Sequence, residues 1–337
     1  MSNPLISICI PVYKSEPSLR RCLESVAAQE FEGFEIVVVN DGSPSPKDKK
    51  QSCKKIVNQF RKDFKLSKEQ LVYREHKSNL GLLEARRTLA EAATGQYLFM
   101  LDSDDALLPG ALKTLYETAI NTGADIVHAQ ARVVCSAADG VSIEERVLIR
   151  QKEMQVVANK VFAGTLTDNE IFKGFLVDKK FNGFLWGKLY KRELYLQALS
   201  HIPFTHCVFS EDFLQFFFIS YEAKKYVGIA TQIYEYYIDT GISSFTEISD
   251  LKRWEQICSS ANVFTILFDA VKTMPPERFS SEHRYFLGQK SRFTLYNILT
   301  QMYSEVSPAI LQPARDLLCQ YWGQSFVEIQ EARLPQT

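Results

Sequence analysis

From Ile6 onward the chain alternates short apolar runs with amphipathic stretches, the pattern of strands and helices laid down in turn. Ile6, Ile8, Ile10 and Val12 predict a strand, and Leu19, Cys22, Leu23, Val26 and Ala27 follow at helical spacing. Ser15 stands where that helix needs an N-cap, and Pro17 falls in its first turn, where a missing N–H costs nothing. A second strand is predicted in FEIVVVNDGS, then a basic helix with Cys53, Ile56, Val57 and Phe60 on its apolar side, then a short strand over Leu71 to Tyr73. The next helix is predicted over 82–93, with Gly95 as its C-terminal cap, ahead of the apolar run Tyr97 to Leu101.

Near-continuous apolar strands separated by helices predict an α/β fold, a mostly parallel Rossmann-like sheet covered by helices on both faces. Such sheets bind ligands at the carboxyl ends of their strands. Over 126–149 the pattern is shorter and irregular, with a surface turn expected at Ala137 to Gly140. Beyond Leu251 the periodicity is helical: Trp254, Ile257, Ala261, Phe264 and Leu267, then Tyr285 to Met302 and Ile310 to Tyr321. The expected division is a sheet-bearing domain over 1–245 and a helical region over 246–337.

Composition narrows the choice of partner. The 39 lysines and arginines nearly balance 40 aspartates and glutamates, so net charge makes no case for nucleic acid. Seven cysteines without a CxxC pair read as reduced core thiols of a cytoplasmic protein. No uninterrupted apolar run reaches about 18 residues, and Met1 leads almost directly into a strand, so neither a membrane span nor a secretory signal is predicted. The expected location is the cytoplasm, at most peripheral at the inner face of the membrane.

The sharpest chemical element is FMLDSDD, an apolar strand running into Asp102, Ser103, Asp104 and Asp105. Strand alternation would point Asp102 and Asp104 to one side. Two such carboxylates repel unless a cation lies between them, and their hard oxygens suit Mg²⁺ or Mn²⁺ bridging phosphates. The plainer reading is a solvated acidic turn with Asp105 capping the next helix. Two further strand ends, Pro11-Val12-Tyr13 and Asn40-Asp41-Gly42-Ser43, offer a ring to stack on a base and a carboxylate for ribose or base. Gly42 permits a sharp turn near a ligand, although Asp41 in such a turn often bonds only its own backbone. Asn79 to Arg87 opens a helix, so N–H groups and Arg86 could face phosphate. Trp186-Gly187-Lys188-Leu189-Tyr190 and Ser210-Glu211-Asp212 add an aromatic and a carboxylate pair, the latter of use only as a general base near a donor. GxxxxGK[ST], GxGxxG, HExxH and GxSxG are all absent.

In order, ISICIPVY, EIVVVNDGS, NLGLLEARR, GQYLFMLDSDD, WGKLY and SED resemble the family 2 glycosyltransferases of GT-A fold over about the first two thirds of the chain. The resemblance implies a UDP-sugar donor, a divalent cation and inversion at the anomeric carbon. It puts Pro11, Tyr13, Glu16, Asp41 and Arg86 at nucleotide-binding positions, with Ser43 and Ser103 beside them. Asp102 and Asp104 fall at the metal-binding DxD positions and Asp212 at that of the catalytic base. Trp186 would line the acceptor or sugar site, and Glu211 would orient the acceptor. The sequence departs from the pattern at Lys14 and Asn40, where the family has asparagine and aspartate. It departs again at Ile238 and Thr240, where many relatives carry a basic residue and a histidine. Asp239 or a water would then complete the metal shell, or Thr240 would donate to phosphate.

The implied function is transfer of a sugar to a hydroxyl of a glycan, glycolipid or glycoconjugate, in bacterial surface polysaccharide or lipooligosaccharide synthesis. On this reading 1–245 binds donor and carries catalysis, while 246–337 provides acceptor, oligomer or membrane-surface contacts, its aromatic stripes being candidates where they are not core. A catalytically silent sugar-nucleotide-binding module is the alternative. A nucleotidyltransferase would show an N-terminal glycine-rich basic loop, and a processive membrane synthase a QxxRW motif; neither is present.

Overall fold

The computed structural model describes residues 4–44, 52–135, 145–238 and 247–334. Among these, β1 (Ile6–Val12), β2 (Phe34–Asn40), β3 (Leu71–Glu75) and β4 (Tyr97–Met100) form a parallel block in the order β3-β2-β1-β4. Every residue of β1 is buried, as its apolar character, broken only at Ser7, requires when helices cover both faces, and the Ser7 hydroxyl donates to Glu35 at 2.6 Å. The connecting helices are α1 (Glu16–Ala27), α2 (Cys53–Asp63) and α3 (Leu82–Ala92). α1 buries Leu19, Cys22, Leu23 and Val26, a single stripe at i, i+3, i+4 and i+7, with about 1.5–3 kcal/mol available from each large aliphatic side chain.

The rest of the sheet is mixed, its strands alternating along the chain with α4 (Ala111–Thr122), α5 (Glu145–Ala158), α6 (Asn169–Leu176) and α7 (Arg192–Ser200). It runs on through β8 (Lys188–Lys191), β6 (Ile126–Val134) and β9 (Lys225–Tyr237), with β5 (Ala106–Leu107) and β7 (Gly164–Thr167) both antiparallel to β9. β8 is antiparallel to β4 and β6, whereas β6 and β9 are parallel. The irregular stretch near residue 126 is thus a nine-residue strand whose register shifts between His128 and Ala131, which breaks the period of two. The expected turn at Ala137 to Gly140 lies outside the described residues.

Gly95 does not cap α3, which ends at Ala92 with Ala93 already extended. Gly95 instead donates to Ser7 Oγ at 2.8 Å, and a Cβ there would come within 2.6 Å of that oxygen. Close backbone approach, not helix termination, is what requires glycine.

Contacts divide the chain into two compact units, Met1–His201 with Gln215–Ser244, and Ile202–Leu214 with Phe245–Thr337. The second holds α9 (Leu251–Cys258), α10 (Ser260–Ala270), α11 (Ser281–Glu305), α12 (Leu311–Trp322) and α13 (Gln324–Glu331). The run from Trp254 to Leu267, which reads as one helical period, is split at Ser259 into α9 and α10. Trp254 is fully buried and donates through Nε1 to the Ala314 carbonyl at 2.8 Å, tying α9 to α12. No helix among the described residues is long and apolar enough to cross a membrane.

Candidate active site

Because β2, β1 and β4 are adjacent and parallel, their carboxyl ends lie side by side, and the first three candidate motifs meet there. Pro11 is tolerated in this central strand for a local reason. Alternation turns its nitrogen toward β4, just past the last bond of that ladder, the Leu101 N–H on the Cys9 carbonyl at 3.0 Å, so its missing N–H falls at the ladder's end.

Asp41 is 2% exposed and its carboxylate is engaged by the chain itself. Oδ1 lies 2.7 Å from His76 Nδ1 and accepts the Leu80 N–H at 2.9 Å, while Oδ2 accepts from Asn79 Nδ2 at 2.8 Å and the Gly81 N–H at 3.0 Å. A carboxylate bonded to N–H groups just ahead of α3 stabilises that helix start. Gly42 has φ +65°, and a Cβ there would stand 2.4 Å from the Ser78 carbonyl carbon. The close neighbour that the sequence suggested would be a ligand is the chain's own Ser78–Asn79 loop. Asn40, where the family has aspartate, donates to Glu75 at 3.0 Å and accepts the Ser43 N–H at 3.1 Å. An aspartate could not make the first bond.

The DSDD segment departs from expectation in shape. β4 stops at Met100, and Asp102 to Asp105 form a turn closed by the Asp105 N–H on the Asp102 carbonyl at 3.0 Å, so strand alternation does not extend to the two aspartates. One face of α1 holds three consecutive carbonyls of this turn: Cys22 donates to that of Asp102 at 3.6 Å, Ser18 to that of Ser103 at 3.1 Å, and Arg21 to that of Asp104. Ser15 Oγ meets Ser103 Oγ at 2.5 Å, the bond it makes in place of a side-chain cap on α1. From α3, the buried Arg86, 1% exposed, donates to Asp102 Oδ1 at 3.0 Å, leaving Asp102 24% exposed.

Asp105 does not cap the following helix. It is buried, and it accepts the Tyr234 hydroxyl at 2.7 Å and the Tyr237 N–H at 2.8 Å, both from β9. Burial pushes its pKa well above the ordinary range, and the charges of Asp104 and Asp102 push the same way. Trp186 is 4% exposed and lies nearly parallel to Phe184, Tyr234 and Tyr236, at 4.6, 5.0 and 5.3 Å between ring centres. It therefore backs the DSDD turn through Tyr234.

Tyr13 follows β1, half-buried, with the Lys14 ammonium 5.0 Å from its ring centre. The Lys14 N–H donates to Ser43 Oγ at 3.0 Å, so Tyr13 and Ser43 belong to one cluster, and Glu16 begins α1 beside it. Glu211 and Asp212 lie in the first turn of α8 (Glu211–Glu222), within the segment Ile202–Leu214 of the second unit. There they raise the pKa of Cys207, after burial as the main cause. Asp239 and Thr240 lie outside the described residues.

Among the described residues no cluster of three or more His, Cys, Asp or Glu side chains is assembled as a metal site. Asp102 and Asp104 offer hard carboxylate oxygens, a donor set that fits Mg²⁺ or Mn²⁺ shared with a diphosphate and water. Sequence reasoning missed Tyr234, the buried role of Asp105 and the grip of Ser18, Arg21 and Cys22. The helical stripe of α1 signalled burial of Cys22 but not what its thiol would touch, and nothing local marks Tyr234, more than a hundred positions away.

Residues 7–181 match the sequence model described as "Glycosyl transferase family 2". Glycosyltransferase GlyA of Streptococcus pneumoniae is 29% identical over 196 residues, 57% of this chain and 25% of GlyA, so the chain spans about a quarter of that relative's length. Among solved structures, S. aureus TarS 1-349 in complex with UDP-GlcNAc aligns at TM-score 0.53 and 17% identity, over 98% of this chain and 92% of that one. Mannosyltransferase PcManGT from Pyrobaculum calidifontis, with GDP-Man and Mn²⁺, aligns at TM-score 0.53 and 14% identity, over 99% and 87%. At those identities the structural likeness speaks for the fold, and the sequence model covers just over half of the chain, so this protein belongs to glycosyl transferase family 2 and has the GT-A fold.

Proposed function

We propose that this glycosyltransferase is metal-dependent and inverting, moving a sugar from a UDP-sugar to a hydroxyl of a glycan or glycolipid acceptor in the making of a bacterial surface glycan. The observation that carries the reading is the DSDD turn at the carboxyl ends of adjacent parallel strands, with Asp102 bonded to the buried Arg86. The sugar nucleotides bound by TarS and by the mannosyltransferase support a nucleotide-sugar donor, and the Mn²⁺ of the latter supports a cation.

Asp102 and Asp104 would hold the divalent ion, which supplies positive charge for the departing diphosphate. Tyr13 offers a ring for the base, and the Asp41 cluster shapes the loop beside it. Arg86 orients Asp102 and offsets its charge. Asp212, at the position the family resemblance gives to the base, takes the proton of the acceptor hydroxyl as its oxygen bonds to the anomeric carbon. The bond to the diphosphate oxygen breaks with its electron pair leaving on UDP, so configuration inverts.

The test is nucleotide release across UDP-, GDP- and dTDP-sugars with Mn²⁺ or with EDTA. UDP-sugar turnover abolished by EDTA is expected, together with an Asp212→Asn variant slowed by about 10² to 10⁴ but binding UDP normally. Turnover indifferent to EDTA would remove the metal role, preference for another nucleotide the UDP assignment, and full activity in Asp212→Asn the base.

A further inference from the structure

The basic helix seen in the sequence carries none of the residues assigned to the sugar-nucleotide site. Residues 52–77 carry eight lysines and arginines against three acids, a net charge of +5 in a chain that totals −1, so all other residues together sum to −6. α2 buries Cys53, Val57 and Phe60, and its opposite side exposes Lys54, Lys55 and Lys62. Lys65 and Lys68 continue the exposed run beyond the helix, and Arg74 and Lys77 stand exposed on β3 and just past it. β3 is the edge strand, so these cations mark one margin of the sheet.

Little on that margin neutralises them. Asp63 is paired with Arg20, so Glu69 and Glu75, the latter accepting from the neutral Asn40 amide, are the two acids of the segment that face its eight cations. Between Lys62 and Lys65 sits Phe64, 41% exposed, its ring stacked on Phe60 at 4.4 Å.

We propose that the α2–β3 margin is a docking surface for an anionic phospholipid bilayer. Lysines near a negatively charged leaflet are attracted individually, and the attraction falls off within a Debye length. The surplus of negative charge on the rest of the chain, −6 in total, orients that attraction toward this margin. Phe64 decides between occupants. A dissolved polyanion is satisfied by the ammonium groups alone, whereas a phenyl ring among lysines enters the interfacial layer of a bilayer while the cations remain at the headgroups. The proposal does not depend on which donor or acceptor the enzyme uses.

Co-sedimentation of the full chain with vesicles tests it, using phosphatidylcholine alone or mixed with phosphatidylglycerol. Binding to the mixed vesicles only, weakening as NaCl is raised, is expected. Lys62→Glu/Lys65→Glu/Lys68→Glu lowers the partition by about tenfold or more, and Lys54→Glu/Lys55→Glu, at the other end of the helix, also lowers it. Phe64→Ala lowers it with the lysines intact. No binding to mixed vesicles, or binding by both charge-reversed variants equal to the parent's, overturns the proposal. If Phe64→Ala binds vesicles like the parent while polyphosphate competes, the margin is a polyanion surface and the bilayer assignment is wrong.

Discussion

The Tyr234 hydroxyl donates to Asp105 at 2.7 Å and accepts the Asp102 N–H at 3.2 Å, so one side chain from β9 holds both ends of the DSDD turn. Tyr234→Phe removes one partner from the buried Asp105 carboxylate, which keeps the Tyr237 N–H, and the acceptor of the Asp102 N–H. A loss of about 1–3 kcal/mol in urea unfolding is expected, from the cost of leaving such groups unsatisfied. Weaker Mn²⁺-dependent UDP binding should accompany it. Unchanged stability would mean that water replaces the hydroxyl.

Arg86 is the buried partner of a half-exposed acid. Arg86→Ala removes this guanidinium from Asp102 and is expected to cost up to about 3 kcal/mol, the low end for breaking a buried pair because Asp102 retains some solvent. Arg86→Lys restores the charge without the planar guanidinium and should recover only part of UDP affinity. Full recovery in calorimetric titration would show that charge alone matters.

Gly42 meets two demands at once, a left-handed φ of +65° and a Cβ position 2.4 Å from backbone. Gly42→Ala should destabilise by about 2 kcal/mol or more, since backbone strain and a clash with backbone add. A thermal midpoint equal to the parent's would show that the Ser78–Asn79 loop yields freely.

In the helical unit, Glu331 accepts both Nε and Nη2 of Arg315, at 2.8 and 2.6 Å, and the Tyr303 hydroxyl at 2.7 Å. Arg315 first, and Tyr303 after it, hold the Glu331 carboxyl below its ordinary value of 4.5. A depressed carboxyl contributes stability that is present above the unfolded value and lost as pH falls through the lower folded one. Glu331→Gln should therefore cost about 1–2 kcal/mol at pH 7, with the gap to the parent closing below about pH 4. A gap that persists at low pH would assign the loss to packing.

The parallel block β1 to β4 with α1 to α3 was legible in the sequence because each element there depends on local periodicity. The apolar stripe of α1 and the runs of β1 and β2 specify burial wherever their partners lie. The motifs at the ends of β1, β2 and β4 were legible too, because each follows directly on an apolar run.

How those motifs are occupied was decided in three dimensions. Asp41 reads as a donor contact in sequence, but the loop from His76 to Gly81 returns beside it and takes its oxygens, a closure that no local signal encodes. Asp105 reads as a solvated helix cap, yet β9 arrives from more than a hundred residues away and buries it. Hydrophobic periodicity reports which face a residue turns inward; which distant polar atom awaits it there depends on strand order and register, and these exist only once the chain has folded.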